Sequence, residues 1–167
     1  MMTDVVKRIL LRDLAALRRE IQAYAREDDV WTVPPGIQNS AGTLARHAAG
    51  NLLHFVGAQL GGTGYIRDRD AEFGGRRVPR RDLDAGLAQA MDAVRTTLDA
   101  LAPERLAEPY PLEVGGVRLS TGMFLVHLAT HLAYHLGQVD YHRRLVTGEG
   151  ATVGAQSLPA LLADDPV

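Results

Sequence analysis

The sequence predicts an all-α protein, an up-down-up-down four-helix bundle with room for one small β-hairpin before the fourth helix. Three observations carry this reading. Four long segments repeat apolar residues at steps of three and four. Pro- and Gly-rich breaks separate those segments. Ser40 and Ser120 stand where N-caps of the second and fourth segments belong.

Val6, Leu10, Leu14, Leu17, Ile21 and Tyr24 form the stripe of a first helix, roughly residues 4–27, with Lys7, Arg8, Arg12, Arg18 and Arg19 off it. Thr3 and Asp4 open it. Trp31 and the run Val33-Pro34-Pro35-Gly36 break it. A second helix, roughly 41–60, makes its contacts through Leu44, Ala48, Leu52, Phe55 and Val56 and ends at Gly61, Gly62 and Gly64. Residues 61–80 read as a long polar loop, of a length that is often functional. A third helix, roughly 81–101, buries Leu83, Leu87, Ala90, Met91, Val94 and Leu98, and Pro103 follows it. Residues 108–119 are turn-rich, and Val114-Gly115-Gly116-Val117 suits the tight turn of a hairpin. The fourth helix, roughly 121–147, closes at Gly148 and Gly150, and residues 157–163 suit one further helical turn.

A chain of 167 residues fits one domain, 1–167. Its 46% hydrophobic and 23% charged residues are those of an ordinary globular protein. The net charge is −2, and the densest basic cluster, Arg76-Arg77 with Arg80-Arg81, is diluted by neighbouring acidic residues. No basic face for a nucleic acid is expected. The absence of cysteine excludes disulfides, thiolate metal sites and a Cys nucleophile, so any thiol chemistry uses a thiol from outside. The N-terminus lacks the apolar run of a signal peptide. No stretch approaches the roughly 18 apolar residues of a membrane helix. The expectation is a cytoplasmic protein without membrane contact. No HExxH, Glu-x-x-His or phosphate-binding loop is present.

All six histidines fall on two helices: His47 and His54 on the second, His127, His131, His135 and His142 on the fourth. Phe124, His127, His131, His135, Gln138 and His142 form one stripe bordered by leucines, which predicts that it faces the bundle interior. Imidazoles four residues apart converge on one ion. Three at successive turns do not, because the outer two are separated by about 12 Å of rise. Spacing therefore admits His127 with His131, or His131 with His135. Two ligands hold a divalent ion poorly, and three is the usual number at an open site. The second helix can supply the third, since His47, Asn51, His54 and Ala58 share a stripe. If the second and fourth helices run parallel, the heights differ by roughly 6–12 Å at about 1.5 Å per residue.

The segments LARHAAGNLLHF and LVHLATHLAYHLGQVDYHRRL resemble those of the DinB-like (YfiT-like) metal-dependent four-helix bundles. The resemblance covers nearly the whole chain. It implies His47, His131 and His135 as ligands, a homodimer, and a divalent ion: zinc or nickel first, with iron, manganese or cobalt as further candidates. It also implies a thiol S-transferase-like activity with a low-molecular-weight thiol; an ion held by three imidazoles with open sites would equally suit a hydrolase that activates water. The alternative is a non-catalytic, stress-related metal-binding dimer. The family often has His-Arg-Gly-Gln where this chain has His135-Leu136-Gly137-Gln138, so the positive charge beside the site is missing. Asn51, His127 and Gln138 are expected around the ligands or lining the pocket. Tyr65 and Arg67, in the loop after the second helix, are candidates to contact substrate. No catalytic residue is assigned.

Overall fold

The computed structural model describes residues 2–75 and 77–163. Five α-helices are present: α1 Met2–Gln22, α2 Ala41–Leu52, α3 Arg69–Gly74, α4 Arg80–Ala100 and α5 Thr121–Thr147. A π-helical stretch, Leu53–Ala58, extends α2. The four long helices are α1, α2, α4 and α5, and the expected all-α bundle is what forms. Ser40 Oγ accepts the amide of Thr43 at the start of α2, and Ser120 accepts that of Met123 at the start of α5. The apolar stripes of α1 and α4 are buried throughout. Leu125, Leu128, Leu132, Leu136 and Val139 of α5 close the core against them.

The helix directions depart from up-down-up-down. Arg18 pairs with Asp84 and Lys7 with Asp99, so α1 and α4 are antiparallel. Ala49 approaches Gly86 while Ala93 lies against Gly57, so α2 and α4 are parallel. Glu20 meets Arg143 and Tyr24 meets His142, so α1 and α5 are parallel. The order is up-down-down-up, with α2 and α5 antiparallel. The connection between α2 and α4, which carries α3, is the physical reason: it is long enough to run back along the bundle, whereas only short loops force consecutive helices to be antiparallel neighbours.

Three smaller corrections concern the connections. α1 stops at Gln22, and Tyr24 stays buried beyond its end. The polar loop at 61–80 contains α3. No strand forms among the described residues. Val114 and Val117 exchange both backbone hydrogen bonds around Gly115 and Gly116, whose φ values of 62° and 79° suit the tight turn. A second bridge joins Pro109 to Ser120. The two pairings are two residues out of register, Tyr110 donating to Leu119 and Val114 to Val117, so no continuous ladder joins them. The C-terminal turn is a 3₁₀ turn, Pro159–Leu161. Of the short basic cluster, Arg76 lies outside the described residues, while Arg80 is spent locally, donating to Glu27 and to the carbonyls of Gln22 and Tyr24. Among the described residues no helix is long and apolar enough to cross a membrane.

Candidate metal centre

The antiparallel course of α2 and α5 brings the histidines level. Phe55, eight residues past His47, lies edge-on to Phe124, seven residues before His131, with ring centroids 5.2 Å apart. The same register sets the His47 ring 5.3 Å from that of His131 and 5.0 Å from that of His135. The height mismatch of a parallel pair does not arise. Nε2 of His131 and Nε2 of His135 are 3.1 Å apart. One ligand atom from each of His47, His131 and His135 lies within 4.8 Å of the others.

These separations and donors suit an ion. Ligand atoms about 2.0–2.1 Å from a tetrahedral ion stand about 3.3 Å from one another, close to the spacing of the two α5 imidazoles. Hydrogen bonds also set the tautomers. His47 Nδ1 donates to Glu72 Oε2 at 2.9 Å. Arg67 Nη2 is farther from that nitrogen, at 3.3 Å, so the Nδ1 proton faces the carboxylate. His135 Nδ1 donates to Gln138 Oε1 at 2.7 Å. In both rings Nε2 is left with its lone pair, the form a metal requires. Burial, and then the imidazoles of His135, His47 and His127, push the pKa of His131 down to about 4. Burial also lowers His135. Both are therefore neutral near pH 7. The cluster can hold a divalent ion.

Glu72 was not anticipated from the sequence. Asp68 caps α3, its Oδ1 accepting the amide of Ala71 at 2.9 Å. One turn later α3 delivers its one buried residue, Glu72, to His47. Arg67 grips that carboxylate with two bonds of 2.7 Å, Nε to Oε1 and Nη2 to Oε2. Burial alone would raise the Glu72 pKa, but the bonds from Arg67 and His47 hold it below its ordinary value. Phe73 packs on the His47 ring with centroids 4.9 Å apart. Gly50 makes this docking feasible, because a Cβ there would run into Glu72 Oε1. A glycine in the interior of an otherwise regular helix was the available clue.

The stripe on α5 enters the core only at its ends, Phe124 and His142. The leucines beside it are buried, while His127 and Gln138 are exposed and His131 and His135 half-buried. His127 stacks between Phe124 and His131, with centroids 5.8 and 5.9 Å away, and is not brought into the cluster. Asn51 is buried one turn beyond His47. His54 falls in the π-helical stretch, where Nδ1 is buried without a partner. His142 is tied to Tyr24 and Thr32. Arg67 is bound to Glu72, and half-buried Tyr65 lines a cleft under α3 with Glu72 and Arg46. Leu136 is 2% exposed and belongs to the core.

Fold and site together define a helical-bundle protein whose three-histidine cluster is able to hold a metal ion. The sequence places it more narrowly: a profile of the DinB superfamily matches residues 10–139, and the chain belongs to that superfamily. Comparison with curated proteins and with solved structures found no match.

Proposed function

We propose that the protein is a metal-dependent enzyme, a thiol S-transferase-like transferase or a hydrolase, with His47, His131 and His135 as the protein ligands. One observation supports this above all. Three imidazoles converge, two of them locked with Nε2 free, at a place where His131 and His135 remain half-open to solvent. A bound ion would supply Lewis-acid chemistry, lowering the pKa of a coordinated thiol or water. The protein's own contribution is orientation. Glu72 holds the Nδ1 proton of His47, Arg67 fixes Glu72, and Gln138 holds the Nδ1 proton of His135. No cysteine is present, so a thiol nucleophile comes as a low-molecular-weight co-substrate.

Zinc and nickel are the first candidates, followed by iron, manganese and cobalt, since imidazole accepts all of them and affinity order does not select the cellular metal. We further propose a cytoplasmic homodimer. Met123, Val126 and Tyr134 on the outer face of α5, and Leu158 and Leu162 near the C-terminus, are exposed apolar residues that assembly would cover. A non-catalytic metal-binding dimer fits a sealed, saturated site better than this half-open one.

The test is purification without chelator, metal analysis, and assay of the loaded protein with thiol-plus-electrophile pairs and with ester and amide substrates. Stoichiometric metal with turnover of one class supports the reading. Less than about 0.1 metal per chain with no uptake on titration, or full loading without turnover of any class, counts against it.

A further inference from the structure

Beside the three-histidine cluster the bundle opens into a cavity of about 530 Å³. The loop at 36–39, Leu44 of α2 and the last turns of α5 form its walls. That volume suits a small organic molecule. Gln138 joins cavity and cluster, lining the one while its Oε1 accepts the Nδ1 proton of His135 in the other. A molecule seated there is one side chain away from the histidines.

The walls indicate what kind of molecule. Ile37, Leu44, Tyr141 and Leu145 are apolar, and Gln38 and Asn39 add uncharged amides. His142 also lines the cavity, but both its ring nitrogens are engaged, by Tyr24 Oη at 2.6 Å and by the Thr32 carbonyl at 2.8 Å. Among the described residues that line the cavity there is no Lys, Arg, Asp or Glu. An ionised ligand would trade water for apolar walls without meeting an opposite charge. An uncharged apolar one would instead cover Tyr141 and Leu145, which are 78% and 66% exposed.

A second cavity, about 370 Å³, lies by His127 and the 114–117 turn. It is smaller, and His127 reaches the cluster only through ring contact with His131. We propose that the larger cavity binds an uncharged, largely apolar small molecule behind His135, on the Nδ1 side of its ring. What then happens to the molecule rests on the cluster being a metal centre; its binding does not.

The experiment uses the full chain, metal-free and cobalt-loaded, with the uncharged fluorescent probe N-phenyl-1-naphthylamine. Saturable binding is expected in both forms. Leu145→Arg should weaken it at least tenfold, and Val117→Arg, in the smaller cavity, should leave it unchanged. Both side chains are exposed, at 66% and 57%, so neither variant tests the core. 1-Naphthalenemethanol should displace the probe at least tenfold better than 1-naphthoate. In the cobalt-loaded protein the proton resonances of the bound probe should broaden. Binding indifferent to Leu145→Arg, binding lost in Val117→Arg instead, equal displacement by the carboxylate, or bound cobalt without broadening would each overturn the proposal. Failure to take up cobalt with probe binding intact removes the metal reading and leaves the cavity assignment standing.

Discussion

Glu72 Oε2 accepts the Nδ1 proton of His47 at 2.9 Å, and Arg67 holds Glu72 in that position through both carboxylate oxygens. The pairing gives α3 a purpose. A helix of six residues with one buried side chain adds little to the core, but it fixes the tautomer and the angle of one imidazole. Outer partners of this kind typically carry a 10–100-fold effect on metal affinity. Glu72→Gln keeps the shape and removes the charge, so the metal dissociation constant should rise by about that factor while the circular dichroism spectrum is kept. Competition against a chromogenic chelator measures it. An unchanged constant would mean that His47 needs no orientation.

Gly50 and Glu72 should be coupled. The methyl group of Gly50→Ala would overlap Glu72 Oε1 and touch its Cδ at 3.0 Å, forcing the carboxylate away from His47. The expected result is weakened metal binding together with about 1–3 kcal/mol of lost stability, the usual range for overpacking. In a Glu72→Ala background the clash has no partner, and the same substitution should cost much less, leaving a non-additive double-mutant cycle. Denaturant unfolding of the four proteins supplies the cycle. Additive costs would contradict the geometry.

Helices were legible where apolar side chains repeat on one face, as at Leu10, Leu14 and Leu17 of α1 or Leu87, Ala90 and Val94 of α4. Their directions were not, because side-chain periodicity is the same whichever way a helix runs, and the connections are too long to decide it. On α5 spacing singled out His131 but left His127 and His135 as equal partners for it, since each is one turn away, and only the family resemblance favoured His135. The height of His47 opposite them depends on the antiparallel register, which only packing sets. Glu72 was hidden for a related reason. It lies 25 positions from His47, and tertiary docking rather than any helical period brings the two together.

His131 and His127 should separate cleanly. His131 Nε2 lies 3.1 Å from His135 Nε2 within the cluster, whereas His127 is exposed and offers only its ring face. His131→Ala should reduce bound metal to below about a tenth of an equivalent, because two imidazoles hold a divalent ion poorly. His127→Ala should retain full stoichiometry. Elemental analysis of both variants after the same purification decides it. Metal lost in His127→Ala and kept in His131→Ala would move the site one turn toward the start of α5.

Tyr24 and His142 tie the chain beyond α1 to α5, and their chemistry predicts a pH dependence. Tyr24 Oη donates to His142 Nδ1 at 2.6 Å, and His142 Nε2 donates to the Thr32 carbonyl at 2.8 Å. Burial pushes the Tyr24 phenol up, so it remains a donor. Burial pushes the imidazole below its ordinary value of 6.5, an effect the Thr32 bond only partly offsets. The folded ring therefore refuses a proton that the unfolded ring accepts. Stability from this ring is fully present above about pH 6.5 and declines as the pH falls below it, toward the lowered folded-state pKa. The His142 ring resonances should titrate below their ordinary value, and the urea midpoint of the metal-free protein should be lower at pH 5.5 than at pH 7.5. Tyr24→Phe leaves Nδ1 without its donor and should cost about 1–3 kcal/mol at pH 7.5. A His142 that titrates at its ordinary value, or a Tyr24→Phe protein as stable as the parent, would show that the pair is not closed in solution.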